Sequence, residues 1–139
     1  MDFSEQIQEF STHVNSLIRQ AAASQDISFA QAQFVLTIPS DGVSMSVLAQ
    51  ELGIDISTLS RNADKLLSMG FITRKSDPYD KRITNIFLSA MGVSVADLLL
   101  AEIDACAVDI LSSVPLDLQK VVGDVLEQLN WSLTRYRGN

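Results

Sequence analysis

Cysteine, histidine and proline are scarce in this chain: its 139 residues include one, one and three of them, respectively. A single cysteine excludes an internal disulfide framework. With only one histidine beside it, little remains for nucleophilic or acid–base catalysis. We therefore expect no enzyme, no catalytic residues and no cofactor. We also expect no metal site, although a site made of carboxylates alone stays open.

Long apolar runs are also missing. No stretch approaches the roughly 18 to 20 uninterrupted apolar residues of a membrane span. The first ten residues, MDFSEQIQEF, lack the basic lead and the apolar block of a secretory signal. These two absences predict a soluble cytoplasmic protein with no membrane partner.

Charge is low while apolar content is high. Charged residues make up 19 % of the chain and hydrophobic residues 47 %, whereas an average domain has about 25 % charged residues. This composition provides enough apolar material for a core and leaves a surplus. Such a surplus often forms a subunit interface.

Positive charge is concentrated in one segment of an acidic chain. The net charge is −7, yet residues 61–82 contain six of the ten basic residues and only three acids, which gives this window +3 and the remainder −10. The local sign of charge governs contact with a polyanion, and the global sign governs non-specific association. We expect a surface that binds DNA at close range but binds random DNA poorly at moderate salt.

Apolar residues recur at helical spacing near both ends of the chain. The first stripe runs from Phe3 to Leu17. A long helix should open at Ser89 and reach about Val114, and a last helix should begin near Pro115. Stripes of this heptad type are suited to packing against another helix. The residues that we expect at a dimer interface are Phe3, Ile7, Phe10, Val14, Leu129 and Leu133.

The middle of the chain has the pattern of a helix-turn-helix. A helix should begin near Ser28 and stop at Pro39. The next, MSVLAQEL, has Ser44 as its N-cap and Gly53 as a left-handed C-cap. Asp55 can cap a further helix that ends at Gly70. Two short helices around a turn that contains glycine predict this motif.

A β-hairpin should follow this motif. The flanks FITRKS and ITNIFL are rich in β-branched and aromatic residues, as strands are. Between them lies DPYD, with aspartate and proline at the first two positions of a predicted type I turn. Thr84, Ile86 and Leu88 fall on one face, which can cover the helices.

These residues resemble a known family. The segment LAQELGIDISTLSRNADKLLSMGFITRKSDPYDKRITNIFLSAMG, residues 48–92, is similar to the winged helix-turn-helix of the MarR family of bacterial transcription regulators. Its most specific part is GFITRKSDPYDKR, Gly70–Arg82. The segment FLSAMG, Phe87–Gly92, also resembles the family, which has a leucine, a hydroxyl residue and a glycine at the start of the long helix. The resemblance implies a dimer built from N- and C-terminal helices, a recognition helix in the major groove and a wing near the minor groove. It also implies that a small-molecule or oxidant signal often weakens DNA binding.

The expected fold class is mainly α with a small β-hairpin wing. We expect a single domain over residues 1–139. Within it, residues 28–92 should form the winged helix-turn-helix, and residues 1–24 and 93–139 should form the dimerisation helices. The chain departs from the family pattern in its low basic count and in Asn62, where an apolar residue is common.

The expected DNA contacts follow from residue chemistry. The residues that the recognition helix should use are Ser57, Thr58, Ser60, Arg61 and Lys65. Arg61 is placed for a bidentate contact to guanine, and Thr58 for a contact to a thymine methyl group or a phosphate. Lys65 is placed for a phosphate. The wing should use Arg74, Lys75, Lys81 and Arg82. Asp80 should orient the guanidinium of Arg82. Because Arg74 and Lys75 point to opposite faces of a strand, one of them should be a solvated charge.

Several residues have a plain structural alternative. The Asp80–Arg82 pair could be an ordinary surface ion pair. Cys106 lies on an apolar stripe, where free cysteine behaves as a small hydrophobe rather than as a redox sensor. Trp131 lies near the C-terminal stripe, which favours a packing role.

The predicted function is a sequence-specific DNA-binding transcription regulator, a repressor, that acts as a homodimer on a palindromic operator. A small-molecule effector would bind in an apolar cleft between the dimerisation helices and the wing. The alternative is a protein-interaction module on the same scaffold, in which the acidic remainder of the chain recruits or blocks another regulator.

Overall fold

The structure is a computed structural model that describes residues 1–138. It contains six helices and a three-stranded sheet within that range. The helices are α1 (Phe3–Ser24), α2 (Phe29–Thr37), α3 (Met45–Leu52), α4 (Ile56–Ser68), α5 (Ala90–Ser112) and α6 (Leu116–Arg137), and the strands are β1 (Val43–Ser44), β2 (Ile72–Ser76) and β3 (Thr84–Leu88). The predicted fold class, mainly α with a small β wing, is confirmed.

The chain forms two compact units, one covering Met1–Ile103 and the other beginning at Asp104. The first contains α1 to α4, the sheet and the first half of α5. The second contains the end of α5 and α6. A single domain over residues 1–139 stays a prediction.

The two helices of the helix-turn-helix are α3 and α4, and their ends follow the sequence signals. The Ser44 hydroxyl accepts a hydrogen bond from the amide of Val47 at 3.2 Å and thereby caps α3. Gly53 ends this helix with φ +68°, a left-handed conformation that glycine adopts without steric cost. Asp55 then caps α4. The two caps and the glycine fix the turn between the helices.

The core of the first unit lies beneath these two helices. Leu48 from α3 and Leu59, Ala63 and Leu66 from α4 are fully buried. Phe34 of α2 is also fully buried, as are Ala32 and Val35 of the same helix. This α2 helix is apolar on more than one side, so periodicity alone did not identify its inner face.

The sheet has the order β1-β3-β2, and both strand pairs are antiparallel. Residues of β2 pair with β3 so that Ile72 lies opposite Leu88 and Arg74 opposite Ile86. Ile72 and Ile86 are buried. This register confirms that the face of β3 formed by Thr84, Ile86 and Leu88 includes the buried side of the sheet.

The turn between β2 and β3 differs from the predicted type I turn at DPYD. The turn that is closed by a backbone hydrogen bond is Asp80–Ile83, where the amide of Ile83 donates to the carbonyl of Asp80 at 3.0 Å. At DPYD itself the amide of Asp80 donates to the carboxylate of Asp77 at 3.0 Å. An aspartate side chain can replace the backbone carbonyl in such a turn.

The start of α5 is tied to the end of α4. The hydroxyl of Ser89 donates to the carbonyl of Gly70 and accepts from the amide of Gly92 at 3.1 Å. A Cβ atom on Gly92 would lie 2.0 Å from the carbonyl oxygen of Phe71. Only glycine therefore allows α5 to pass so close to the backbone that leads into the wing.

The second unit has no comparable core. Within α6 no residue is buried, although the helix has the apolar stripe predicted from the sequence. Over residues 1–138, no helix is long and apolar enough to span a membrane.

Candidate nucleic-acid interface

Helix α4 presents its polar residues on the side away from the core. Ser57, Arg61 and Lys65 are exposed, whereas Thr58 and Ser60 are half-buried. Leu59, Ala63 and Leu66, on the opposite side, fill the core. The five predicted recognition residues therefore lie on a helix that is anchored along one face and open along the other.

The first turn of α4 holds a chain of hydrogen bonds that reaches Arg61. The carboxylate of Asp55 accepts from the amide of Thr58 at 2.7 Å and from the hydroxyl of Thr58 at 2.8 Å. The hydroxyl of Thr58 accepts in turn from the guanidinium of Arg61 at 3.3 Å. These bonds, led by the one from the Thr58 amide, lower the pKa of Asp55 below its ordinary value. The Thr58 hydroxyl is thus occupied, and its methyl group remains for contact.

The wing contains the hydrogen-bonded pair expected between Asp80 and Arg82, and this pair is bidentate. Nε and Nη2 of Arg82 each donate to one oxygen of Asp80, both at 3.0 Å. The backbone amide of Arg82 donates to Asp80 at 3.0 Å as well. The pair lowers the pKa of Asp80 and raises that of Arg82. The Arg82 side chain is 90 % exposed and that of Asp80 32 % exposed, so the guanidinium projects outward from a fixed base.

Asp77 organises the wing loop, a role that the sequence reasoning did not assign. Its carboxylate accepts from the amide nitrogen of Asn85 at 3.0 Å and from the backbone amide of Tyr79 at 2.9 Å. These bonds, with the one from the amide of Asp80, hold the pKa of Asp77 below its ordinary value, and the bond from Asn85 has the largest effect. The available signal was aspartate directly before proline, which is typical of side-chain-stabilised turns.

Arg74 and Lys75 leave β2 on opposite faces, as predicted from their adjacency. Arg74 lies opposite Ile86, on the face that meets the helices, and its Nη1 is 3.1 Å from Oδ1 of Asp64 on α4. Lys75 lies opposite Asn85, and its ammonium group is 5.6 Å from the centre of the Phe87 ring. Lys81, at the wing tip, is exposed.

The other chemistry-bearing residues form no metal-binding cluster within residues 1–138. No group of three or more His, Cys, Asp or Glu side chains in that range could hold a metal ion. His13 lies 3.6 Å from Glu9 on the exposed side of α1. Cys106 is half-buried and in no disulfide. The guanidinium of Arg135 lies 4.7 Å from the centre of the Trp131 ring.

The residues expected at a dimer interface are largely uncovered in the single chain. Phe3, Ile7 and Phe10 of α1 are exposed, as is Leu133 of α6. Val14 and Leu129 are half-buried. Both stripes are therefore available for contact with another molecule.

The comparisons with known proteins bear on the part of the chain that contains this site. Residues 40–84, from the loop after α2 to the start of β3, match the model of the MarR family. No curated relative matches the chain.

Solved structures share the fold over nearly the whole chain. A crystal structure of MarR has a TM-score of 0.85 and 20 % identity, with 99 % of this chain and 95 % of that chain covered. A MarR transcriptional regulator from Methanosarcina mazei Go1 has a TM-score of 0.82 and 19 % identity, covering 96 % of each chain. The transcriptional regulator SlyA has a TM-score of 0.80 and 17 % identity, covering 99 % and 98 %.

The fold and the site define a winged helix-turn-helix protein. The family match over residues 40–84 and the shared fold confirm the resemblance found in the sequence: the chain has the winged helix-turn-helix fold of the MarR structures.

Proposed function

We propose that this protein is a non-enzymatic, sequence-specific DNA-binding transcription regulator of the cytoplasm, and that it acts as a homodimer on a near-palindromic operator. The observation that carries the proposal is that two neighbouring elements each hold one arginine in a fixed orientation. Arg61 is held on α4 through Thr58, and Arg82 is held on the wing by Asp80.

Each arginine suits a different groove of DNA. The exposed face of α4 begins with short side chains, which allow the helix backbone to approach base edges in the major groove. Arg61 would donate to a guanine there, since a bidentate arginine is the commonest specific contact to that base. Arg82 would enter the minor groove, where narrow A·T-rich segments have an enhanced negative potential. Lys65, Lys81 and Lys75 would contact phosphates.

A dimer would give the operator its symmetry. The exposed apolar stripes of α1 and α6 are the surfaces that a second copy would cover. A two-fold axis would relate two recognition helices, and their half-sites would lie about one helical turn, or roughly 34 Å, apart. Binding over a promoter would exclude polymerase, which is how such a dimer would repress. A small molecule would release it by favouring a dimer geometry that changes the spacing of the two helices.

A binding selection tests the proposal. The full-length protein, shown to be folded and dimeric, is incubated with a randomised duplex pool at roughly physiological salt, and the bound DNA is sequenced. We expect an enriched palindrome with half-sites one helical turn apart. No enrichment from a folded dimer would instead favour the protein-interaction role, which would then be pursued by pull-down.

A further inference from the structure

We propose that Arg74 does not contact DNA but positions and neutralises Asp64, an acid on the DNA-facing side of the recognition helix. The paired acid does not repel the operator, and the paired arginine is not available to random DNA. The inference rests on the proposed function. It assigns Asp64 and Arg74 as a specificity-determining pair.

Asp64 lies on the exposed side of α4, close to the predicted base-reading residues. It follows Ser57, Ser60 and Arg61 by seven, four and three positions, and these spacings place all four on one helical face. Its side chain is 60 % exposed. An unpaired carboxylate at this position would face the phosphates or base edges of a bound duplex, where like charges repel each other.

Arg74 comes from the other DNA-binding element and reaches this acid. It leaves β2 on the same face as the buried Ile72, and its Nη1 lies 3.1 Å from Oδ1 of Asp64. The Arg74 side chain is 38 % exposed, compared with 90 % for Arg82. The less exposed arginine is therefore directed to α4, whereas the more exposed one projects from the wing tip.

The pair connects the recognition helix to the wing, the two elements that would contact DNA at the same time. Asp64 belongs to α4, which would occupy the major groove, and Arg74 belongs to the strand that leads to the wing. While the two are paired, the pair adds no net charge to the interface, and the angle between helix and strand is restrained. When they are separated, Asp64 repels DNA and Arg74 becomes available to any phosphate, regardless of sequence.

The test is a charge-rescue experiment on the selected operator and on a random duplex of equal length, using fluorescence anisotropy over a series of salt concentrations. The variants are Arg74→Gln, Asp64→Asn and the double variant. Lys75→Gln, which removes a neighbouring positive charge from the opposite face of β2, is the matched control. Thermal unfolding of each variant, followed by circular dichroism, shows that it is folded.

Four results are expected. Arg74→Gln weakens operator binding by about tenfold or more, because the unpaired acid now faces DNA. The operator affinity of the double variant returns to within about threefold of that of the wild type, and its salt dependence is unchanged. The reason is that the neutral pair neither attracts nor repels phosphate. Adding Asp64→Asn to Lys75→Gln does not restore the ratio of operator to random affinity, because it frees Arg74 to bind any phosphate. Asp64→Asn alone binds random DNA more tightly and lowers the ratio of operator to random affinity.

Other results would overturn the proposal. If the double variant binds as weakly as Arg74→Gln, and the salt slope of both is lower by about one, Arg74 is a phosphate contact. Should Arg74→Gln fail to fold, Asp64→Asn alone still decides the matter, because an unchanged affinity ratio contradicts the assigned role. A wild-type protein that selects no duplex would instead remove the proposed function itself.

Discussion

The winged-helix segment and the C-terminal helix use their apolar residues in opposite ways. In residues 28–92 the apolar side chains of α2, α3, α4 and the sheet are largely buried by the chain itself. Helix α6 has a stripe of similar character, yet none of its residues is buried. The first region therefore buries its own core, whereas the second leaves its apolar stripe exposed, as surfaces that bind another molecule often do. Folding of the winged-helix segment and assembly through α6 should therefore respond to different substitutions.

The largest expected effect is on the free energy of unfolding, when a glycine of the first region and a glycine of the second are each replaced by alanine. Gly92→Ala should be severely destabilising, by about 3 kcal/mol or more, because its Cβ would lie 2.0 Å from the Phe71 carbonyl oxygen and backbone must move. Gly123→Ala on α6 meets no atom within 4 Å and should gain up to about 1 kcal/mol of helix propensity. Denaturant unfolding of both variants measures the difference. Equal losses would mean that Gly123 is also closely packed, as in an interface.

The second prediction concerns assembly. Replacing both Leu129 and Leu133 by aspartate should raise the dimer dissociation constant by about 100-fold or more, because two carboxylates would be buried without partners. Analytical ultracentrifugation over a range of concentrations measures this change. Thr134→Asp, an exposed change on another side of α6, is the matched control and should leave the dimer intact. A dimer that survives the double substitution would place the interface elsewhere.

The third prediction tests whether DNA recognition belongs to the first region alone. Arg61→Ala should cost about 1–3 kcal/mol of operator binding and relax the choice of base at one position of each half-site. Lys81→Ala should weaken binding to all duplexes alike and lower the salt slope by about one. Repeating the duplex selection with each variant distinguishes the two roles. Unchanged base preference in the Arg61 variant would exclude it as the base-reading residue, and neither variant should alter the dimer.

The smallest expected effect is on stability in acid. Because hydrogen bonds lower the pKa of Asp77 in the folded protein, its contribution is fully present above the unfolded value of about 3.9. That contribution is lost as the pH falls through the lower folded value. Asp77→Asn should therefore be less stable than the wild type at neutral pH, and the gap should narrow below about pH 4. Urea midpoints at several pH values measure the gap. A gap that does not change with pH would show that the carboxylate charge is irrelevant.

Local chemistry in the sequence was sufficient to predict the helix caps and the ion pair in the wing. Ser44, Gly53 and Asp55 act at the helix ends where capping rules place them, because each cap depends on atoms within about four residues. The Asp80–Arg82 pair formed for the same reason, since its partners are two residues apart. Helix and strand bounds followed from hydrophobic period and from glycine and proline.

Contacts between distant parts of the chain were decided only by the tertiary structure. Asp64 and Arg74 are ten residues apart on different elements, and their spacing in the sequence did not predict the ion pair. Asp77 bonds to Asn85 across the hairpin, which depends on a strand register that one residue of slippage would reverse. The sequence by itself thus determined the order of elements and the charged segment, because these depend on local chemistry. Only the packing of α4 against β2 decided that Arg74 meets Asp64, because the two residues come from different elements.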